Sequence, residues 1–307
     1  MAYSFTTAEL DTVIAELVEL RGRSRRPMLV AGGSHASADP EGALALGFDV
    51  VFAGEGEGVW LDFLKELLET GKAEPGVRQG RSQDLDANLS AAPRAGLFPF
   101  PEISRGCRGA CLFCQTPRLF GRPMRHRSPQ VVAEGIRAAM AAGHRRFRFL
   151  SPDAFAYAGG DLKQRVAAIE ELLGESRATG ARQLMLGFFP SEGRPDTTEP
   201  ELVDLVRRHC QNRALVIGAQ AGSDSLLRRM RRGHTVEQAR RAIRLCREAG
   251  LKALVDVIVA FPGELPEERR ATLDFVKEGM RDSGVSFHVH HYVPLPGNGI
   301  WPAPPET

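Results

Sequence analysis

The sequence predicts an α/β protein: a partial barrel of six strand–helix units, preceded by an incomplete Rossmann-like segment. Three observations carry this expectation. From Phe98 onward, six short apolar runs alternate with amphipathic stretches, the pattern of parallel strands joined by right-handed helical crossovers. Ahead of them, two apolar runs each end in glycines and one leads into a helical stripe, the grammar of an open parallel sheet. Three of the five cysteines fall within eight residues, directly after the first strand of the regular part.

Residues 7–20 place Leu10, Val13, Ile14, Leu17 and Val18 on one helical stripe. Residues 27–33 read as a short buried strand ending in Gly32-Gly33, and residues 49–53 as a second that runs into Gly54-Glu55-Gly56. A helix over 59–70 closes this section. Two or three strands do not make a stable sheet alone, so residues 1–72 read as part of a Rossmann-like domain whose first strands are missing. Residues 73–97, rich in Pro, Gly, Arg and Asp, read as a linker. Residues 98–307 read as the barrel with a proline-rich tail. Its strands are expected at 100–104, 146–151, 183–188, 214–219, 253–259 and 286–292. Helices are expected at 129–142, 161–174, 199–209, 225–231, 235–249 and 266–282. In such a barrel the chemistry lies at the carboxyl ends of the strands.

Apolar residues make up 43% and charged residues 25% of the 307, which excludes wholesale disorder. Forty basic against 38 acidic residues leave a net charge of +2, which does not advertise nucleic acid as a partner. No window has the length and apolarity of a membrane span and no signal peptide opens the chain, so the cytoplasm is the expected location. The odd cysteine count argues against a disulfide framework. Cys210 and Cys246 lie in apolar-periodic stretches and read as buried, inert thiols. The arginines between Arg228 and Arg247 read as solvated helix faces, with no aromatic residue interleaved to stack bases.

The informative cysteines are Cys107, Cys111 and Cys114, spaced C-x3-C-x2-C. Three thiolates in one loop can hold three irons of a cubane and leave the fourth without a protein ligand; a structural zinc site normally closes with a fourth ligand. The nearest later candidate, His126, sits in a basic run and reads as a surface or phosphate-facing residue. With Phe113 immediately before the third cysteine, the segment resembles the cluster loop of the radical SAM enzymes. That resemblance implies a [4Fe–4S] cluster on Cys107, Cys111 and Cys114, with S-adenosylmethionine (SAM) on the open iron through its amino and carboxylate groups. It implies reductive cleavage of SAM to a 5′-deoxyadenosyl radical, a one-electron reductant such as a flavodoxin or ferredoxin, and a small-molecule substrate.

Further strand ends fit the same family. Where it usually has a Gly-Gly-Glu-like turn for the methionyl amine, this chain has Ser151-Pro152-Asp153; Ser151 and Asp153 are the substitutes, and Asp153 reads equally well as a turn or helix cap. Glu192 and Arg194 follow the third strand and suit an amino-acid moiety, with Arg194 pairing a carboxylate in bidentate fashion; a salt bridge between the two is the alternative. Residues 217–225 resemble the turn of radical SAM methylthiotransferases and cobalamin-dependent relatives, with Gln220 and Ser223 placed for the SAM ribose or carboxylate. Residues 255–264 resemble the strand that frames adenine, and equally an ordinary buried parallel strand. His288 and His290 share one face of the last strand, with His291 on the other; they are candidates for catalysis on the substrate side, or rim residues.

Val30–Ala36 and Phe52–Glu57 resemble the second half of the cobalamin-binding domain found ahead of many radical SAM barrels. The Asp-x-His-x-x-Gly signature of a cobalt ligand is absent, since none of the eight histidines has an Asp two places before it. His35 reads as ordering the glycine turn, and cobalamin is allowed but unsupported. The leading reading is a radical SAM enzyme of this branch, carrying out methyl transfer or C–H functionalisation on an unidentified small molecule. One alternative is a tRNA methylthiotransferase-like enzyme, a class that needs three further cysteines ahead of the barrel, where residues 1–106 contain none. The other is a non-catalytic Fe–S or zinc-binding protein.

Overall fold

The computed structural model describes residues 1–24, 26–89 and 91–300, and the chain forms two compact units. Residues 301–307, the end of the proline-rich tail, lie outside the described residues. Among the described residues the first unit comprises Met1–Gln83, Leu112–Arg122 and residues 293–300; the second comprises Asp84–Cys111 and Pro123–Tyr292.

In the first unit four parallel strands lie side by side in chain order: β1 (Ala2–Ser4), β2 (Val30–Gly32), β3 (Val50–Ala53) and β4 (Gly76–Gln79). Alternation sends Ala31 and Val51 to one face and Val30, Val50 and Phe52 to the other. On the first face they meet Val13, Leu17 and Leu20 of α1 (Leu10–Arg21), with α2 (Gly33–Ala38) and α3 (Pro40–Ala45) filling the rest. On the second face they meet Val59, Trp60, Phe63 and Leu67 of α4 (Glu57–Thr70). The apolar runs expected as strands at 27–33 and 49–53 hold β2 and β3, the first confined to Val30–Gly32 because α2 already starts at Gly33. Two further strands, β1 and β4, are too short to show a period of two, and β4 falls in the stretch that reads as a linker. The short α5 (Thr116–Leu119) packs on α2.

In the second unit parallel pairings and bridges link the strands in chain order. β5 (Ser104–Arg105) forms a two-residue antiparallel ladder with β6 (Arg125–His126). The strand running into β5 lies parallel to the chain after β7 (Arg146–Arg148), through a Glu102–Leu150 bridge. β7 pairs with β8 (Gln183–Met185), and the chain beyond β8 joins β9 (Ala214–Gln220) through the Gly193–Ile217 bridge. β9 then pairs with β10 (Lys252–Val259), and β10 with β11 (Val285–His291). All seven residues of β9 are buried, which is why its sequence is a continuous apolar run rather than an alternating one. Among the described residues no pairing between β5 and β11 closes the row.

The crossover helices are α6 (Pro129–Ala141), α7 (Leu162–Ala178), α8 (Pro200–His209), α9 (Asp224–Arg229), α10 (Val236–Glu248) and α11 (Pro266–Gly279). Their starts are written locally. Ser128 caps α6 with Pro129 at its first position, and Asp161 with Gln164 and Thr235 with Gln238 form reciprocal capping boxes on α7 and α10. In α10 the buried residues Val236, Ala239, Ala242 and Cys246 recur at helical spacing. No helix among the described residues is long and apolar enough to cross a membrane.

Candidate active site

The cysteine loop leaves β5 through Gly106, whose φ of 82° needs a glycine. Bonds of 2.8 Å from Arg105 to each carboxylate oxygen of Glu102 anchor the strand before it. Cys107 and Cys111 are buried in the second unit. The boundary between the units falls between Cys111 and Leu112, so Phe113 and Cys114 belong to the first unit, half-buried on the turn that leads to α5.

The Gly109 amide donates to the Cys107 sulfur at 3.4 Å. A Cβ on Gly109 would stand 3.3 Å from the Cys107 sulfur, 3.4 Å from Arg194 Nη1 and 3.7 Å from the Cys111 sulfur, so a glycine there keeps the space beside both sulfurs clear. Two guanidinium groups face Cys111: Arg232 Nη1 at 3.6 Å and Arg194 Nη1 at 3.8 Å from its sulfur. Both arginines are buried, at 7% and 4% exposure. Burial works against the charge of Arg232, yet Glu192 and the Cys111 sulfur outweigh it and raise its pKa. Burial and Arg232 likewise oppose the charge of Arg194, and Asp196, Cys111 and Asp153 more than offset them. Cationic, hydrogen-bonding surroundings of this kind suit thiolate sulfur and an anionic iron–sulfur group. Among the described residues no three His, Cys, Asp or Glu side chains are placed to hold a single metal ion.

Glu192 and Arg194 do not pair with each other. Arg194 Nε donates to Asp196 at 3.0 Å, and Glu192 accepts from Arg232 Nη2 at 3.0 Å. The Arg232–Glu192 pair lies over β9 at Gly218, where a Cβ would come within 2.5 Å of both partners. Arg232 also donates to the Gly218 carbonyl at 2.8 Å. This arginine departs from the solvated helix faces expected for its run: Arg228, Arg229 and Arg231 are exposed and Arg232 is not.

Asp153 is a cap and something more. Its Oδ1 accepts from the Phe155 amide at 3.3 Å and from the Thr197 hydroxyl at 2.8 Å. Its Oδ2 is buried with no hydrogen-bond partner. Burial pushes its pKa up to about 6, against the downward pull of Thr197 and Arg194. The Ser151 hydroxyl is used within the same turn, donating to the Asp153 carbonyl at 2.9 Å and accepting from the Asp153 amide. Ser223 caps α9 through the Leu226 amide and bonds Ser225, so its hydroxyl closes the helix start. Gln220, at the carboxyl end of β9, is buried with a φ of +69°.

His288 and His290 lie on one face of β11, more than half exposed, and share a partner absent from the sequence reading: Asp256 Oδ1 stands 3.0 Å from His288 Nδ1 and 3.5 Å from His290 Nε2. Asp256 is in register with Gly218 and His288 in register with Asp256, so all of them face the side occupied by Glu192 and Arg232. His126, read from the sequence as a surface or phosphate-facing residue, is partly exposed. It is half-buried in β6, 2.9 Å from the Ser104 hydroxyl, with its pKa lowered by burial. Cys210 and Cys246 are buried thiols pushed up to about 12 by burial. His35 lies 3.1 Å from the Thr7 hydroxyl and stacks on Phe5.

A family model described as the radical SAM superfamily matches residues 102–276, more than half of the chain. Curated relatives include tRNA-2-methylthio-N(6)-dimethylallyladenosine synthases. That of Chlorobium luteolum is 31% identical over 69% of this chain and 44% of its own length; that of Geobacter metallireducens is 30% identical over 83% and 58%. The chain thus spans about half the length of these relatives. Among solved structures it is similar to the radical SAM methyltransferase TsrM of Kitasatospora setae with cobalamin and [4Fe–4S] cluster bound, with a TM-score of 0.68 and 18% identity over 94% of this chain and 63% of that one. It is also similar to the cobalamin-dependent radical enzyme OxsB, with a TM-score of 0.65 and 16% identity over 91% and 43%. At these identities the likeness is one of fold.

Proposed function

The chain belongs to the radical SAM superfamily, and from that premise we propose that Cys107, Cys111 and Cys114 hold a [4Fe–4S] cluster at which SAM is reductively cleaved to functionalise a small molecule, by methyl transfer or at a C–H bond. The observation that carries this reading is the pair of buried arginines on the Cys111 sulfur. The cluster, when bound there, would supply an electron and an open iron position for the reductive cleavage of SAM.

The chain's own residues bind and orient. Arg194 and Arg232 balance sulfur charge where water is excluded and charge interactions are strong. Asp153 Oδ2 offers an acceptor for the methionyl amine, and Arg194 a planar donor set for the methionyl carboxylate. Gln220 presents an amide at the end of β9. Phe113 keeps its place in the motif, while Ser151 and Ser223 shape the turns around the site. His288 and His290, oriented by Asp256, stand on the same face as proton acceptors for substrate. A flavodoxin or ferredoxin supplies the electron, and the cytoplasm is the fitting location for such a cluster.

A second reading, methylthiolation of tRNA, is favoured by the identity to the synthases named above, and it keeps tRNA as a substrate class despite the balanced net charge. The test is product analysis of anaerobically reconstituted, reduced protein. 5′-Deoxyadenosine and methionine are expected from the wild type and neither from Cys111→Ala; S-adenosylhomocysteine in addition would point to methyl transfer. A wild type that forms none of these contradicts the reading.

A further inference from the structure

The turn from Met230 to Thr235 closes onto the end of β9. Arg231 takes a φ of 54° there, and Arg232 and His234 then reach successive carbonyls of β9, those of Gly218 at 2.8 Å and Ala219 at 3.0 Å. The Ala219 carbonyl already accepts the Ala221 amide at 2.9 Å, which closes a three-residue turn around Gln220. Ala219 drops out of the ladder with β10, where the register steps from Gly218 to Gln220. Gln220 is left with its φ of +69°, in a strained turn that a non-glycine residue adopts only when its surroundings hold it there.

His234 is 5% exposed. A carbonyl can only accept, so its Nε2 carries the hydrogen and Nδ1 is a lone pair, buried with no hydrogen-bond partner. Burial first, and Arg232 next, push its pKa down to about 3. The imidazole is therefore a neutral, one-sided donor aimed at a single carbonyl.

We propose that His234 is a positioning residue for SAM: by holding the Ala219 carbonyl it keeps Gln220 in the left-handed turn that presents its side chain at the carboxyl end of β9. This rests on the reading that Gln220 contacts SAM. A core histidine that only stabilises the fold would not act through Gln220, and that difference can be measured.

The test is a thermodynamic cycle on the reconstituted protein, with SAM affinity measured by equilibrium dialysis and cluster absorbance as a control. His234→Phe and Gln220→Ala should each weaken SAM binding by about tenfold or more, and the double variant should fall within about threefold of the weaker single one. His234→Gln, which retains an N–H donor of similar reach, should bind within about threefold of the wild type. Effects that multiply in the double variant, or a His234→Phe protein that binds SAM like the wild type, would overturn the proposal. Should His234→Phe lose its cluster, His234→Gln is compared with His234→Asn, which is too short to reach Ala219; equal binding by those two overturns it as well. A wild type that binds no SAM removes the Gln220 reading and this proposal with it, whereas a wild type that binds SAM with multiplying effects removes only the role of His234.

Discussion

Asp153 and His234 are buried titratable groups whose surroundings move them in opposite directions. The folded pKa of Asp153, about 6, lies above its ordinary 3.8, so the folded protein keeps a proton that the unfolded chain releases. Its contribution to stability is full below about pH 3.8 and lost as the pH rises through about 6. His234 has a folded value of about 3 against an ordinary 6.5, so its contribution is full above pH 6.5 and lost as the pH falls toward 3. Asp153→Asn removes the buried charge while keeping an oxygen for Thr197 and Phe155. In protein without cluster or SAM, urea denaturation should find this variant more stable than the wild type by about 2–3 kcal/mol at pH 8, with the difference closing toward pH 4. Equal stability at pH 8 would show that Arg194 and Thr197 already offset the burial. With the cluster in place the same variant should bind SAM more weakly, having lost the anion that suits the methionyl amine.

At the scale of the strand and its following turn, two glycines separate packing from propensity. Gly218→Ala drives a Cβ into the Arg232–Glu192 pair over β9. Denaturation should show a loss of about 1–3 kcal/mol, the cost of crowding a filled site. Gly174 in α7 has nothing within 4 Å of an added Cβ, so Gly174→Ala should be stabilising by about 0.5–1 kcal/mol. A Gly218→Ala protein as stable as the wild type would mean that the pair can move aside. The long elements were legible because their burial is regular: β9 is buried on both faces and reads as an apolar run, and α10 buries every third or fourth residue. β1, β4 and β6, of three, four and two residues, are too short to carry a period. Arg232 was hidden for a different reason. It shares its letter with the exposed Arg228, Arg229 and Arg231, and only the left-handed turn at Arg231 swings it and His234 onto β9. Asp256 did carry a signal, since a lone carboxylate inside the apolar run Val255–Val259 needs a partner; the two histidines of β11 are that partner.

Over the whole molecule, the α/β fold and the family were readable from one cysteine spacing set on one strand–helix rhythm, and the family model spans that same stretch. Which groups meet across strands was not readable, because pairing of Arg232 with Glu192, or of Asp256 with His288, depends on register between segments 30 to 40 residues apart. An iron left open by the three cysteines and taken up by SAM is the centre of the proposed chemistry. The most direct measurement is EPR of the reduced, reconstituted protein with SAM carrying ¹⁵N in its methionyl amine, followed by hyperfine spectroscopy. SAM is expected to change the cluster's spectrum, and a nitrogen coupling to appear. A reducible cluster whose spectrum SAM leaves unchanged, with no nitrogen coupling, would contradict the proposal and leave a cluster-binding protein without this chemistry.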